Sequence, residues 1–102
     1  MGIDMQINYF GFAASAQIES EVAAQLVRLE RFGKAISGCH LAIEAVHEQT
    51  LDHPMFDAHL DLVLRTGELI PLEHRQNFDP DIAVRAAFDA AERLLERGFA
   101  RI

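Results

Sequence analysis

Basic residues are scarce in this chain. Nine Lys and Arg stand against sixteen Asp and Glu, giving a formal net charge of −7 over 102 residues. Net charge alone will not hold such a chain on DNA or an anionic lipid surface, so any contact with nucleic acid must come from a local cluster of cations. Cysteine is scarcer still: Cys39 stands alone and closes no disulfide within the chain. The opening MGIDMQ lacks the basic start and apolar core of a signal peptide, so a reducing cytoplasm is the expected compartment. Apolar runs are too short to cross a bilayer, and no repeat or low-complexity segment appears. What is present, 50% hydrophobic and 25% charged residues, suits a folded globular chain, and the length suits one domain, 1–102.

Asp4-Met5-Gln6-Ile7-Asn8-Tyr9 alternates polar and apolar residues, the period of a strand with one buried face. Small residues over 11–16 break the pattern. Ile18, Val22, Leu26, Leu29 and Phe32 then recur every three or four positions and predict an amphipathic helix capped by Ser15. Glu19 and Glu21 lie early in it, Arg28, Arg31 and Lys34 late, and Gly33 and Gly38 supply its exit. Alternation returns over 39–47, with Leu41, Ile43 and Ala45 on one face, and over 56–64, with Ala58, Leu60, Leu62 and Leu64. These segments predict a hairpin pairing Ala45 with Ala58, Ile43 with Leu60 and Leu41 with Leu62, around a polar loop over 48–55 that holds Pro54. The turn Arg65-Thr66-Gly67-Glu68 leads to a fourth strand with Ile70 and Leu72, and Pro71 suits the sheet's edge. Asp79-Pro80 starts a last helix whose stripe is Val84, Phe88, Ala91, Leu95 and Phe99, fraying at Gly98. The order β-α-β-β-β-α predicts an α+β two-layer sandwich, with two helices on one face of a four-stranded sheet.

Once the elements are placed, charge separates by side. Arg28, Arg31 and Lys34 fall on the first helix, Arg85, Arg93, Arg97 and Arg101 on the last or its tail, and Arg65 and Arg75 at strand ends. The uncovered sheet face receives Asp4, Glu44, Asp57, Asp61 and Glu73 with His40, His59, Gln6 and Asn8, and repels a polyanion. Arg28, Arg31 and Lys34, spaced by threes, form one ridge. On the last helix Asp89, Glu92 and Glu96 are spaced to pair with Arg85, Arg93 and Arg97. The predicted register sets Glu44 opposite His59, between Asp57 and Asp61, but the spacing is that of no metal motif, and no metal or cofactor is expected. His40 cannot serve Cys39 as a base, because adjacent strand residues point to opposite faces, so the thiol reads as buried and inert. With no Gly-rich phosphate loop and no serine elbow, an enzyme is not expected.

Several segments together resemble the ribosome hibernation promoting factor family, also called ribosome-associated translation inhibitors or sigma-54 modulation proteins. They are Met5-Gln6-Ile7, Leu29-Glu30-Arg31-Phe32, Cys39-His40-Leu41-Ala42-Ile43-Glu44, the Phe56, Leu60 and Leu62 spacing, and the run over 83–95, AVRAAFDAAERLL. The resemblance spans nearly the whole chain and implies the same β-α-β-β-β-α topology. It also implies a protein that sits on the small ribosomal subunit, in the channel used by messenger and transfer RNA, and silences idle ribosomes under stress. Its contacts to ribosomal RNA would come from basic helix residues, and the positions matching in type are Arg28, Arg31, Lys34, Arg85, Arg93 and Arg97. Ending at Ile102, the chain would resemble the short form, without a further dimerising domain. The alternative is an acidic module of the same shape that no longer binds ribosomal RNA. It would meet a protein, including a copy of itself, through the open sheet face or an edge strand, with Val46, Val63, Leu69 and Pro71 at the centre.

Overall fold

Strand β1, Asp4–Phe10, turns Asp4, Gln6, Asn8 and Phe10 outward and packs Met5, Ile7 and Tyr9 toward the core. The chain leaves the sheet at Gly11, whose φ of +84° lies in the left-handed region, where a Cβ is penalised and would here stand 3.1 Å from the Ala45 carbonyl oxygen. Ser15, in extended conformation, caps helix α1, Ala16–Leu29, its hydroxyl accepting from the Ile18 amide. A 3₁₀ turn, Glu30–Phe32, follows and closes at Gly33. Strand β2, Ile36–Val46, runs parallel to β1, and β3, Met55–Leu64, runs antiparallel to β2. The short strands β4, Leu69–Pro71, and β5, Arg75–Asn77, both pair antiparallel with β3. Helix α2, Pro80–Glu96, begins where the Asp79 carboxylate accepts from the Asp81 amide. This computed structural model describes residues 2–47 and 52–98; residues 48–51 of the expected loop, Phe99 of the expected stripe and Arg101 lie outside them.

The architecture is the predicted α+β sandwich, β-α-β-β-β-α, with the fourth strand divided in two. Both helices cover one sheet face. Ile18, Val22 and Leu29 of α1 and Val84, Phe88 and Leu95 of α2 close over Leu41, Ile43, Leu60 and Leu62, all buried. Among the described residues no helix is long and apolar enough to cross a membrane.

Three details depart from the sequence-based expectation. Gly38 is no helix exit: β2 begins at Ile36, and Gly38 lies inside it opposite Asp4, whose carbonyl oxygen would stand 3.3 Å from an added Cβ. The hairpin register differs by two residues, pairing Leu41 with Leu60, Ile43 with Ala58 and Ala45 with Phe56. Alternation has a period of two, so it decides which face is buried but leaves slips of two equally apolar. As a result Glu44 faces Asp57, and His59 faces Ala42.

The third departure is on the edge. Between the pairs Asp61–Pro71 and Ala58–Arg75, two residues of β3 face three of the edge strand, His74 being the last of the three, which is a β-bulge. The extra residue reverses the alternation. Glu73, expected on the open face, instead lines a cleft on the helix side with Arg75 and Arg97, while His74 and Gln76 reach Asp57 on the open face.

Candidate nucleic-acid interface

The helix layer is joined along its outer seam by polar side chains. Gln17 donates to Asp81 at 2.6 Å and Arg85 to Glu21 at 2.9 Å, both partners lying 64 residues further along the chain from their α1 residue; Arg28 pairs with Glu92 at the same separation. A constant separation means that α1 and α2 run parallel, so both begin at one end of the molecule and both finish at the other. Arg28 also reaches Asp89 at 3.1 Å, and Arg31 bridges Glu92 at 3.2 Å and Glu96 at 2.7 Å. Gln25, the one buried polar residue of α1, ties the ladder lengthwise: it donates to Glu21 at 2.7 Å and accepts from Arg28 at 2.7 Å.

Proton affinities follow these pairings. Hydrogen bonds from Arg85 and Gln25 hold the Glu21 carboxyl below its usual range. Desolvation pushes Glu92 up, but Arg31 and Arg28 together outweigh it and bring the carboxyl down. Arg28, Arg31 and Arg85 are raised, mainly by hydrogen bonds to Glu92, Glu96 and Glu21 respectively. Each arginine is therefore charged, but its charge is answered within the molecule.

The six helix cations read from the sequence thus fall into two groups. Arg28, Arg31 and Arg85 line the seam against carboxylates. Lys34, Arg93 and Arg97 have no carboxylate within 4 Å among the described residues, and all three lie at or beyond the last turns of the helices. The first helix ends at Leu29, so Arg31 falls on the 3₁₀ turn and Lys34 beyond it. The expected pairing within α2 gives way: Asp89, Glu92 and Glu96 turn to Arg28 of α1 and Arg31 of that turn, and Arg85 turns to Glu21. Spacing along one helix shows which residues share a face; it does not show that a parallel neighbour offers closer partners.

A further cation at this end was not among the candidates. Leu64, the last residue of β3, pairs with Ile36, the first of β2, so the residue after it meets the exit of α1. There Arg65 donates from Nε to the Gly33 carbonyl oxygen at 2.9 Å, and its backbone amide donates to Ala35 at 3.0 Å. The antiparallel order of the hairpin already implies this proximity, and that was the available signal.

The open face is built differently. Among the described residues it carries no Lys or Arg, since Arg75 stands opposite Ala58 on the helix side. Its centre is a polar chain: His59 lies 3.2 Å from Asp61 and stacks on His74, with ring centroids 4.1 Å apart, and His74 lies 2.6 Å from Asp57. Gln76 donates to the other Asp57 oxygen at 3.0 Å. No group of three or more His, Cys, Asp or Glu among the described residues is arranged to hold a metal ion. Of the four residues expected at an apolar centre, Val63, Leu69 and Pro71 sit toward one end of this face and Val46 at the other, opposite Met55, so they do not make one centre. Burial pushes the Cys39 thiol up to about 12.

These features define a two-layer α+β domain whose helices are clasped by their own charges and whose helix cations without a carboxylate partner among the described residues gather at one end. Solved structures share that fold. The chain matches a ribosomal subunit interface protein from Coxiella burnetii with a TM-score of 0.76, over 96% of this chain and 99% of that one, at 16% identity. It matches the N-terminal domain of Thermus thermophilus Protein Y with a TM-score of 0.72, over 95% and 98%, at 20% identity. The resemblance to the hibernation promoting factor family is thus borne out in the fold. No protein-family model and no curated protein matches the chain.

Proposed function

We propose that this protein is a non-enzymatic, cytoplasmic ribosome-associated factor that docks its helix layer on the RNA of the small ribosomal subunit and blocks translation under stress by occupying the messenger and transfer RNA channel. The observation that carries the reading is the match, over nearly the whole of both chains, to a structure described as a ribosomal subunit interface protein. The placement of charge agrees with it, because the open sheet face offers an RNA only carboxylates, imidazoles and neutral groups. Of the six helix cations, Lys34, Arg93 and Arg97 are ready to meet phosphate. Arg28, Arg31 and Arg85 contribute only as far as they leave Glu21, Asp89, Glu92 and Glu96.

The test is co-sedimentation with purified small subunits over a range of salt. Log affinity falls with log salt by about 0.7–0.9 per phosphate contact. Three or four contacts therefore predict a loss of roughly 20- to 150-fold between 50 and 200 mM salt, whereas engagement of the three seam arginines as well predicts roughly 300- to 6,000-fold. Absence of the protein from the small-subunit fraction at 50 mM salt overturns the reading.

The neutralised seam favours one other reading, a protein-binding module that uses the open face or an edge strand, including homodimerisation. The bulge and Pro71 shorten the β4 and β5 edge and discourage strand addition there. A complex that persists in high salt and is lost with Val63→Lys would establish this reading.

A further inference from the structure

The exit of α1 and the turn after β3 enclose a cleft of about 490 Å³ lined by Glu30, Arg31, Gly33, Lys34 and Arg65. Its cations differ in how they are held. Arg31 is committed to Glu92 and Glu96. Lys34 is exposed and lies within 4 Å of no carboxylate among the described residues. Arg65 is exposed but not loose: its Nε bond to Gly33 and its amide bond to Ala35 fix the guanidinium against a backbone carbonyl. A carbonyl orients the group without cancelling its charge, and occupying Nε leaves both Nη atoms, the paired donors that match two phosphate oxygens, without a partner among the described residues. Glu30 is the one acidic residue on the wall, and the cations outnumber it.

We propose that this cleft is a phosphate-binding subsite for the RNA backbone, with Arg65 gripping one phosphate through its Nη pair and Lys34 supplying a second, mobile charge beside it. The proposal rests on the ribosome-associated reading for its biological ligand, but the chemistry it requires is only that of a phosphodiester. Arg65 acts here as a partly preorganised ligand, because its Nε bond to Gly33 already orients the guanidinium in the free protein.

Two readouts separate the subsite from the wider function. In the first, binding of a fluorescein-labelled RNA hairpin is followed by anisotropy for the full chain and for Arg65→Ala, Arg65→Lys and Lys34→Ala, each checked for folding by circular dichroism. Loss of one phosphate contact is expected to lower affinity at 0.1 M salt about five- to eightfold and to make the salt slope shallower by about 0.7–0.9. Arg65→Lys, which keeps the charge but loses the Nε anchor and the paired donors, should retain the slope while binding more weakly. In the second, the same variants are sedimented with small subunits. Hairpin binding that weakens in Arg65→Ala supports the subsite even if no protein sediments with small subunits, a result that would overturn only the ribosomal reading. Sedimentation of the full chain with Arg65→Ala unchanged in both assays overturns the subsite and leaves the ribosomal reading standing. No binding of the full chain to either probe overturns both.

Discussion

Removing acidic residues from α2 should strengthen RNA binding, and the seam shows which ones. Among the described residues the carboxylates that Arg31 meets are Glu92 and Glu96, at 3.2 and 2.7 Å, whereas Arg28 keeps Asp89 and Gln25 when Glu92 is changed. In the double variant Glu92→Gln with Glu96→Gln, side-chain shape is preserved and one guanidinium, Arg31, loses both ionic partners it has among the described residues. That group lines the same cleft as Lys34 and Arg65, so it is placed to take a further phosphate. One added contact predicts a salt slope steeper by about 0.7–0.9 and an affinity about five- to eightfold higher at 0.1 M salt. Glu92→Gln alone should give less, because Arg31 retains Glu96. Arg31 and Glu96 are about half exposed, so that pair contributes little to folding, whereas Glu92 is less exposed and holds both Arg28 and Arg31, so a modest loss of stability is expected. Anisotropy with an RNA hairpin at several salt concentrations measures slope and affinity together. An unchanged or shallower slope, with the fold intact, would refute the claim that the seam carboxylates withhold Arg31 from RNA.

Two further outcomes concern the scaffold. Leu60 is fully buried on the central strand β3, so Leu60→Ala should cost about 2–5 kcal/mol in denaturant unfolding, with the slope of the transition unchanged. Cys39 should resist thiol reagents at pH 8 in the folded protein and react on unfolding, because its thiol is held protonated until pH approaches about 12. Its folded-state value lies above the unfolded one, so the protonated thiol favours the folded state. That contribution is intact below the unfolded thiol's value and is lost as pH rises toward about 12, and Cys39→Ala should remove this alkaline part of the pH dependence.

Much of this fold is local chemistry and could be read from the residues. Ser15 and Asp79 start helices because each side chain satisfies an amide in the first turn, a fact that depends on neighbours in sequence. The buried faces of β2 and β3 are equally legible, since Leu41, Ile43, Leu60 and Leu62 announce themselves by alternation. Pairing across elements is another matter. Shifting the hairpin by two residues leaves its apolar face apolar, so the loop decides the register. The bulge before β5 needs only one surplus residue in a polar stretch, and nothing in Glu73-His74-Arg75 marks which residue it is. The seam depended on two facts absent from any single helix: that α1 and α2 run parallel, and by how many residues they are offset. Arg85 facing Glu21 follows from both, and so does the reduction of six candidate cations to three without a carboxylate partner among the described residues.

That reduction also changes what a net charge of −7 means for a polyanion. The parallel helices carry Glu19, Asp79 and Asp81 at their beginning and the Glu21–Arg85 pair further along, while Lys34, Arg65, Arg93 and Arg97 lie at their finish, where Glu92 and Glu96 are held by Arg28 and Arg31 and Glu30 is the acid on the cleft wall. Helix α2 has 17 residues, which at about 1.5 Å per residue separates these ends by about 25 Å. The screening length is about 8 Å at physiological ionic strength, so the cations at the finish lie about two to three screening lengths from Asp79 and Asp81, and RNA there responds mainly to the nearby charges. At about 0.01 M the screening length grows to about 30 Å, and the whole molecule then acts on the RNA as a net anion. The expected consequence is a bend in the salt dependence. Log affinity should rise linearly as salt falls from about 0.2 to 0.05 M, then flatten or reverse toward 0.01 M, where a uniformly basic protein would continue to tighten. Anisotropy with the labelled hairpin across that range records the curve directly. A straight line down to 0.01 M would mean that the acids are felt equally at every salt concentration, and contact with RNA mainly through the cationic end of the helix layer would have to be abandoned.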